Sequence, residues 1–136
     1  MRNKWVVWAG RVVSIAPVII CLTSARWKLT HSVFYVREWQ RIGWPMTEIN
    51  GVALLQIAFV TLYVIPQTAL LGTVLLTAYL GGALASYVRI GEFNPPLVPL
   101  TTCLLAWLGI WLRDERLRQL LPIRWSATAS AGRAKA

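Results

Sequence analysis

Apolar residues run almost unbroken through four stretches of this chain, at about residues 5–25, 47–65, 68–88 and 96–112, and charged residues gather between them. The stretch 68–88 is the clearest, since it carries no charge, follows Pro66 and closes at Arg89. A helix rises roughly 1.5 Å per residue, so a run of about twenty reaches across roughly 30 Å of hydrocarbon. Four such runs predict an all-α fold, an integral membrane four-helix bundle.

The segment between the first two runs cannot cross lipid, because it holds Arg26, Lys28, His31, Arg37, Glu38 and Arg41. Its Trp27, Leu29, Val33, Phe34, Val36 and Trp39 fit one side of an amphipathic helix lying flat at the interface, where indole rings are favoured. Only Pro66 and Gln67 join the second and third runs, which predicts a tight antiparallel hairpin. Gly91, Asn94 and the pair Pro95-Pro96 predict a turn between the third and fourth.

Composition agrees. Hydrophobic residues make up 57% of the 136, charged residues 14%, and mean hydropathy is +0.55, which leaves too little polar surface for a soluble domain. One bundle, residues 1–125, accounts for the chain; the small, polar, basic stretch 126–136 reads as a disordered cytoplasmic tail. A net charge of +9 suggests nucleic acid in a soluble protein, but here the basic residues flank apolar runs. Anionic headgroups of the lipid bilayer are the matching counter-charge, and no nucleic-acid partner is expected.

Basic residues also set orientation. With both termini on one side, that side carries Arg2, Lys4, Arg113, Arg116, Arg118, Arg124, Arg133 and Lys135, against Arg26, Lys28, Arg37, Arg41 and Arg89 on the other. The excess puts both termini in the cytoplasm of a cell (inner or plasma) membrane. Arg11 falls inside the first run, where it snorkels or bonds to a neighbouring helix. A cleavable signal peptide is the alternative for the first run, since Arg2 and Lys4 precede it and Thr23, Ser24 and Ala25 end it; Arg11 argues against this.

Helices in lipid associate through close backbone packing and interhelical hydrogen bonds, so small residues four apart are informative. The third run has two such rows, Thr73-Thr77-Gly81-Ala85 and Ala78-Gly82-Ser86, which predict that it forms the centre of the bundle. Eight tryptophans, Trp5, Trp8, Trp27, Trp39, Trp44, Trp107, Trp111 and Trp125, fall mostly near run ends, as an interfacial belt requires.

Candidate chemistry is sparse. His31 is the single histidine and has no second imidazole or carboxylate at metal-ligand spacing, so no metal site is expected. Cys21 and Cys103 form no Cys-Xaa-Xaa-Cys motif; both fall in the outer half of the membrane, where they are either two packed thiols or a redox pair. Gln56 is the polar residue of most interest within a run. One reading has it bonded to Tyr79, Tyr87 or a threonine of the third run. The other has it line a small-molecule or quinone cavity with Tyr63, Tyr79, Tyr87 and Arg89.

Several blocks of the chain resemble the DoxX-like family: Gly10-Arg11-Val12, Trp27-Lys28-Leu29, the run from Leu62 through Pro66-Gln67-Thr68-Ala69 to Gly72, Leu75-Leu76-Thr77-Ala78-Tyr79-Leu80-Gly81-Gly82-Ala83, Val88-Arg89-Ile90-Gly91, and Leu112 to Pro122. The resemblance covers about residues 10 to 124. It implies a four-helix membrane bundle, and the wider DoxX group includes subunits linked to quinone-dependent sulfur oxidation and thiol redox complexes. Members often carry an acidic residue shortly before the lysine matching Lys28, a glutamate in the second span and a histidine before the Val-Arg that ends the third. This chain has Ser24, Gln56 and Tyr87 there.

Groups able to carry protons have thus become groups that only hydrogen-bond. The reading is a non-catalytic accessory or scaffold subunit, acting within a membrane protein complex or homo-oligomer and holding no cofactor. The alternative is a quinone-binding subunit of an oxidoreductase, with Gln56, Tyr79, Tyr87 and Arg89 as its cofactor-binding residues. A transporter is disfavoured because no run is broken in its middle.

Overall fold

The computed structural model describes residues 3–92 and 97–120. Its helices are α1 (Lys4–Leu29), α2 (Val33–Arg41), α3 (Ile49–Val64), α4 (Ala69–Arg89), α5 (Leu97–Arg113) and α6 (Glu115–Leu120), with one 3-10 turn at Met46–Glu48 leading into α3. The four long helices close a ring in which α1 packs on α3 and α5, and α4 packs on the same two. With the turn before α3 included, they hold 26, 19, 21 and 17 residues. That is about 26 to 39 Å of helix against a hydrocarbon core of about 30 Å. The protein is an all-α integral membrane bundle.

Its outer surface is apolar. Val12, Ile15, Ile19, Leu54, Leu70, Leu71, Leu104 and Leu108 are all exposed, so hydrophobicity marks the lipid side as much as the core. The inner stripes are marked instead by small and polar residues at helical spacing: Gly10, Ser14, Pro17, Cys21, Ala25 and Lys28 on α1, and Ile49, Ala53, Gln56, Val60 and Tyr63 on α3. The α4 stripe is Ala69, Gly72, Thr73, Leu76 and Leu80; Pro99, Thr102, Ala106, Gly109 and Ile110 line α5. Steps of three and four run through α1 and α3, and α4 and α5 each add one adjacent pair, Gly72-Thr73 and Gly109-Ile110, which keeps each set on one face.

The close approaches run through Gly10, Gly72 and Gly109 rather than Gly81 and Gly82. A methyl group at Gly72 would meet the backbone of Leu62 and Tyr63 across the hairpin, and one at Gly109 would meet Ser14 and the Tyr63 hydroxyl. Gly81 and Gly82 face open space, so the expectation that their rows make α4 the centre is corrected. A row of every fourth residue drifts about 40° around the helix at each step. Thr73 is buried at its start, and the row has left the packed face by Gly81 and Ala85.

Three helix ends share one cap. After α1, α2 and α4 the residues in the left-handed region are His31 (φ 51°), Gly43 (φ 76°) and Gly91 (φ 77°). Each donates its N–H to a carbonyl three residues back, and the following residue reaches five back: His31 to Lys28, Ser32 to Trp27, Gly43 to Gln40, Trp44 to Trp39, Gly91 to Val88 and Glu92 to Tyr87. This is the Schellman arrangement, in which glycine is usual and His31 is the exception.

The predicted runs match the helices in number and order, with shifted ends. Helix α1 continues one turn past residue 25 to Leu29, which takes Arg26 and Lys28 out of the connecting segment. Helix α2 buries Trp39 against Ile42 and Ile49 and leaves Val33 and Phe34 exposed. Trp107 and Trp111 pack against the central core, and Trp107 Nε1 donates to Thr77 Oγ1 (2.8 Å), so these two lie inside the bundle as well as near a span end. The predicted turn at Asn94 and Pro95-Pro96, Trp125 and the tail 126–136 lie outside the described residues.

Candidate functional site

Lys28 stands in the last turn of α1 yet is only 6% exposed. Side chains on a helix lean towards its N-terminus, so the Lys28 stem runs back into the bundle rather than out of it. Its Nζ donates to Ser24 Oγ one turn earlier (3.1 Å), to Gln56 Oε1 on α3 (2.8 Å) and to Tyr79 OH on α4 (2.8 Å). An ammonium has three protons, and all three are used.

The acceptors are themselves tied together. Tyr79 OH donates to Gln56 Oε1 (3.1 Å), and Tyr35 OH, from α2, donates to Ser24 Oγ (2.9 Å). Burial pushes the Tyr35 phenol up, more than its bond to Ser24 pulls it down, so it stays a donor at neutral pH. The Tyr79 and Tyr35 ring centroids lie 5.4 and 5.6 Å from the ammonium, within cation–π range. One cation thus joins residues of α1, α2, α3 and α4.

Every partner is neutral. The ion pairs among the described residues are Arg41–Glu38 and Arg41–Glu92, both at 2.7 Å and both outside the bundle. Withdrawing an ammonium from water costs several kcal/mol even after relaxation, roughly, and here charge-assisted bonds and aromatic faces offset it where a carboxylate would be usual. No carboxylate or imidazole bonds within this set.

Of the residues singled out from sequence, Gln56 and Tyr79 meet in this cluster. Tyr87 packs instead against Trp39, Ile42 and Ile49. Arg89 donates from Nη2 to the Ile42 carbonyl and borders a shallow cleft of about 310 Å³ with Gly43, Trp44, Ala85 and Ser86. Tyr63 is at the other end of the bundle, its hydroxyl 3.1 Å from both Ser14 Oγ and the Ala106 carbonyl, with the Arg113 guanidinium 5.0 Å from its ring centroid. Cys21 and Cys103 are free thiols, and Cys103 Sγ contacts Thr77 Oγ1 at 3.7 Å. His31 Nε2 lies 3.1 Å from Asn50 Oδ1, at the surface.

Lys28 is the residue that sequence reasoning passed over, because a lysine next to Trp27 and Arg26 reads as a flanking charge. The signal was nevertheless present. Cys21, Ala25 and Lys28 extend the inner stripe of α1 by steps of four and three, and Ser24 stands one turn before the lysine.

Compared with known proteins, the chain matches the profile of the DoxX-like family over residues 12–109, which takes in α3 and α4 whole and most of α1 and α5. No curated protein and no solved structure matches it.

Proposed function

The chain belongs to the DoxX-like family, and we propose that within it this protein is a non-catalytic accessory or scaffold subunit of a membrane assembly, spanning the bilayer four times with both termini cytoplasmic. One observation carries the reading: the polar groups facing inward at Lys28 are spent on one another. Lys28 exhausts its three protons on Ser24, Gln56 and Tyr79, and Gln56 Oε1 receives two donors. A set bonded in this way fixes helix register and leaves no proton acceptor poised for chemistry. The orientation draws support from Lys28 turning into the bundle, which leaves Arg26, Arg37, Arg41 and Arg89 to oppose the eight basic residues of the terminal side.

A second reading rests on the same lysine. A buried cation with neutral partners, beside the Tyr79 hydroxyl, is a fitting anchor for a quinone oxygen, and in that case Gln56, Tyr79 and Lys28 hold the ring. Tyr87 and Arg89 would then contribute from the adjoining end of α4.

Purification of the full chain in mild detergent, with mass spectrometry for extracted quinones and co-purifying proteins, separates the two. The scaffold reading expects a protein partner and quinone far below one per chain. A quinone present at one per chain in the wild type, and lost from Lys28→Met and Tyr79→Phe variants that still fold, overturns it.

A further inference from the structure

The end of the bundle opposite Lys28 carries a different arrangement of charge. There α1, the α3–α4 turn and the α5–α6 junction surround a cleft of about 440 Å³, within the roughly 300–1,000 Å³ usual for small-ligand sites. Four arginines line it, Arg11, Arg113, Arg116 and Arg118, and Val7 and Pro66 form an apolar lip. None of the four makes an ion pair among the described residues, although two carboxylates stand beside them. Asp114 is engaged elsewhere, its Oδ1 accepting the N–H groups of Arg116 (2.9 Å) and Leu117 (3.4 Å).

Among the described residues the guanidinium groups are also incompletely bonded. Arg113 gives one N–H to the Tyr63 carbonyl (3.3 Å), and Arg11 lies 5.9 Å from the centroid of a Trp8 ring. Arg118 Nε is buried and has no hydrogen-bond partner among the described residues. A donor on a charged group that is left unmade costs more than a neutral one, so under-bonded guanidinium groups around a cleft favour an anionic acceptor there. Convergent guanidinium forks suit the oxygens of a phosphate group in particular.

We infer that this cleft binds the phosphate group of an anionic glycerophospholipid, held by Arg11, Arg113, Arg116 and Arg118. The lipid source follows from position: the cleft lies at the ends of four apolar helices, and Trp8, Val12 and Ile15 leave an exposed apolar track on α1 leading away from Arg11 along which an acyl chain can lie. It is also the more basic end of the molecule, the one whose charge matches an anionic leaflet. The inference stands whichever role the Lys28 cluster has.

The test uses the full chain, delipidated in detergent, with binding followed by native mass spectrometry and thermal unfolding. The probes are phosphatidylglycerol, phosphatidylcholine and inorganic phosphate. One phosphatidylglycerol should bind per chain and raise the unfolding temperature, phosphatidylcholine should bind at least several-fold more weakly, and millimolar phosphate should not displace the lipid. Each lost arginine should weaken phosphatidylglycerol binding roughly fivefold, the surface worth of one charge. Arg118→Gln is the primary variant, and the exposed Arg116→Gln and Arg11→Gln serve should it fail to fold. Arg37→Gln, on the far side, should change nothing. Equal binding by the wild type and the folded variants overturns the site, and displacement by inorganic phosphate overturns the lipid assignment in favour of a soluble phosphate.

Discussion

Replacing Gln56 with leucine tests whether the Lys28 cluster holds the bundle together. The side chain is 3% exposed and its Oε1 receives Lys28 Nζ at 2.8 Å and Tyr79 OH at 3.1 Å, so Gln56→Leu deletes two bonds while keeping nearly the same volume. A hydrogen bond to a charged group is worth roughly 1.5–3 kcal/mol in soluble proteins, whereas bonds between membrane helices average about 0.6 and reach about 2. Lys28 keeps Ser24 and Tyr79, and Tyr79 OH loses its acceptor but still receives the ammonium. The variant should therefore lose about 1 to 2 kcal/mol in reversible unfolding from mixed micelles. Leu54→Met, at a lipid-facing position two residues away on the opposite face of α3, should stay within about 0.5 kcal/mol of wild type. A double-mutant cycle with Lys28→Met sharpens the test, because the two changes remove the same bond and should couple by about 0.5 kcal/mol or more. Strict additivity, or a Gln56→Leu variant as stable as the wild type, would refute the argument.

Three further outcomes follow from particular contacts. Gly72→Ala should destabilise by about 1–3 kcal/mol, because the new methyl meets the backbone of Leu62 and Tyr63, whereas Gly81→Leu and Gly82→Leu should leave the unfolding of the isolated chain nearly unchanged; a reversed order would show that α4 packs through its other face. His31→Gly should be neutral or stabilising and His31→Val should cost about 1–2 kcal/mol, since His31 holds the left-handed cap position that a β-branched residue tolerates worst; equal stability of the two variants would contradict the cap. Reporter fusions after Ser32 and Glu92 should read outside, and those after Gln67 and Arg133 inside; an external Arg133 fusion would favour signal cleavage or a missed span.

The number and order of the long helices and the tight α3–α4 hairpin were legible because each depends on long apolar runs and on where prolines and charges interrupt them. Which face of each helix turns inward was not. In a soluble helix the apolar stripe marks the core, but Leu54, Leu55, Leu70 and Leu71 here are exposed, so hydrophobicity says little about facing. The usable signal is the alternation of three and four among small and polar residues. A strict four-residue row fails on α4, where it leads from buried Thr73 to exposed Gly81 and Ala85. Gln56 and Tyr79 were recognisable as partners because a polar residue in hydrocarbon must find one. Their third member was hidden by the assumption that α1 ends before Lys28, and one further helical turn converts an apparent loop charge into the centre of the cluster.

That turn also changes what the family resemblance means. Of the three positions that the resemblance singled out, Ser24 and Gln56 are bonded to Lys28 and Tyr87 is not. In this chain the lysine stands among neutral groups. Gln56→Glu should therefore restore a counter-ion at bonding distance without disturbing the shape of the site. At an effective dielectric of about 20 the added attraction is about 4 kcal/mol for charges 4 Å apart, and the desolvation of the new carboxylate consumes several kcal/mol of the same order. The net change at neutral pH should be small, and clearly less harmful than Gln56→Leu. Unfolding of both variants in mixed micelles at neutral pH checks that order. A Gln56→Glu variant destabilised as much as Gln56→Leu would mean that the new carboxylate does not face the ammonium, and that the neutral ring around Lys28 is not the frame described.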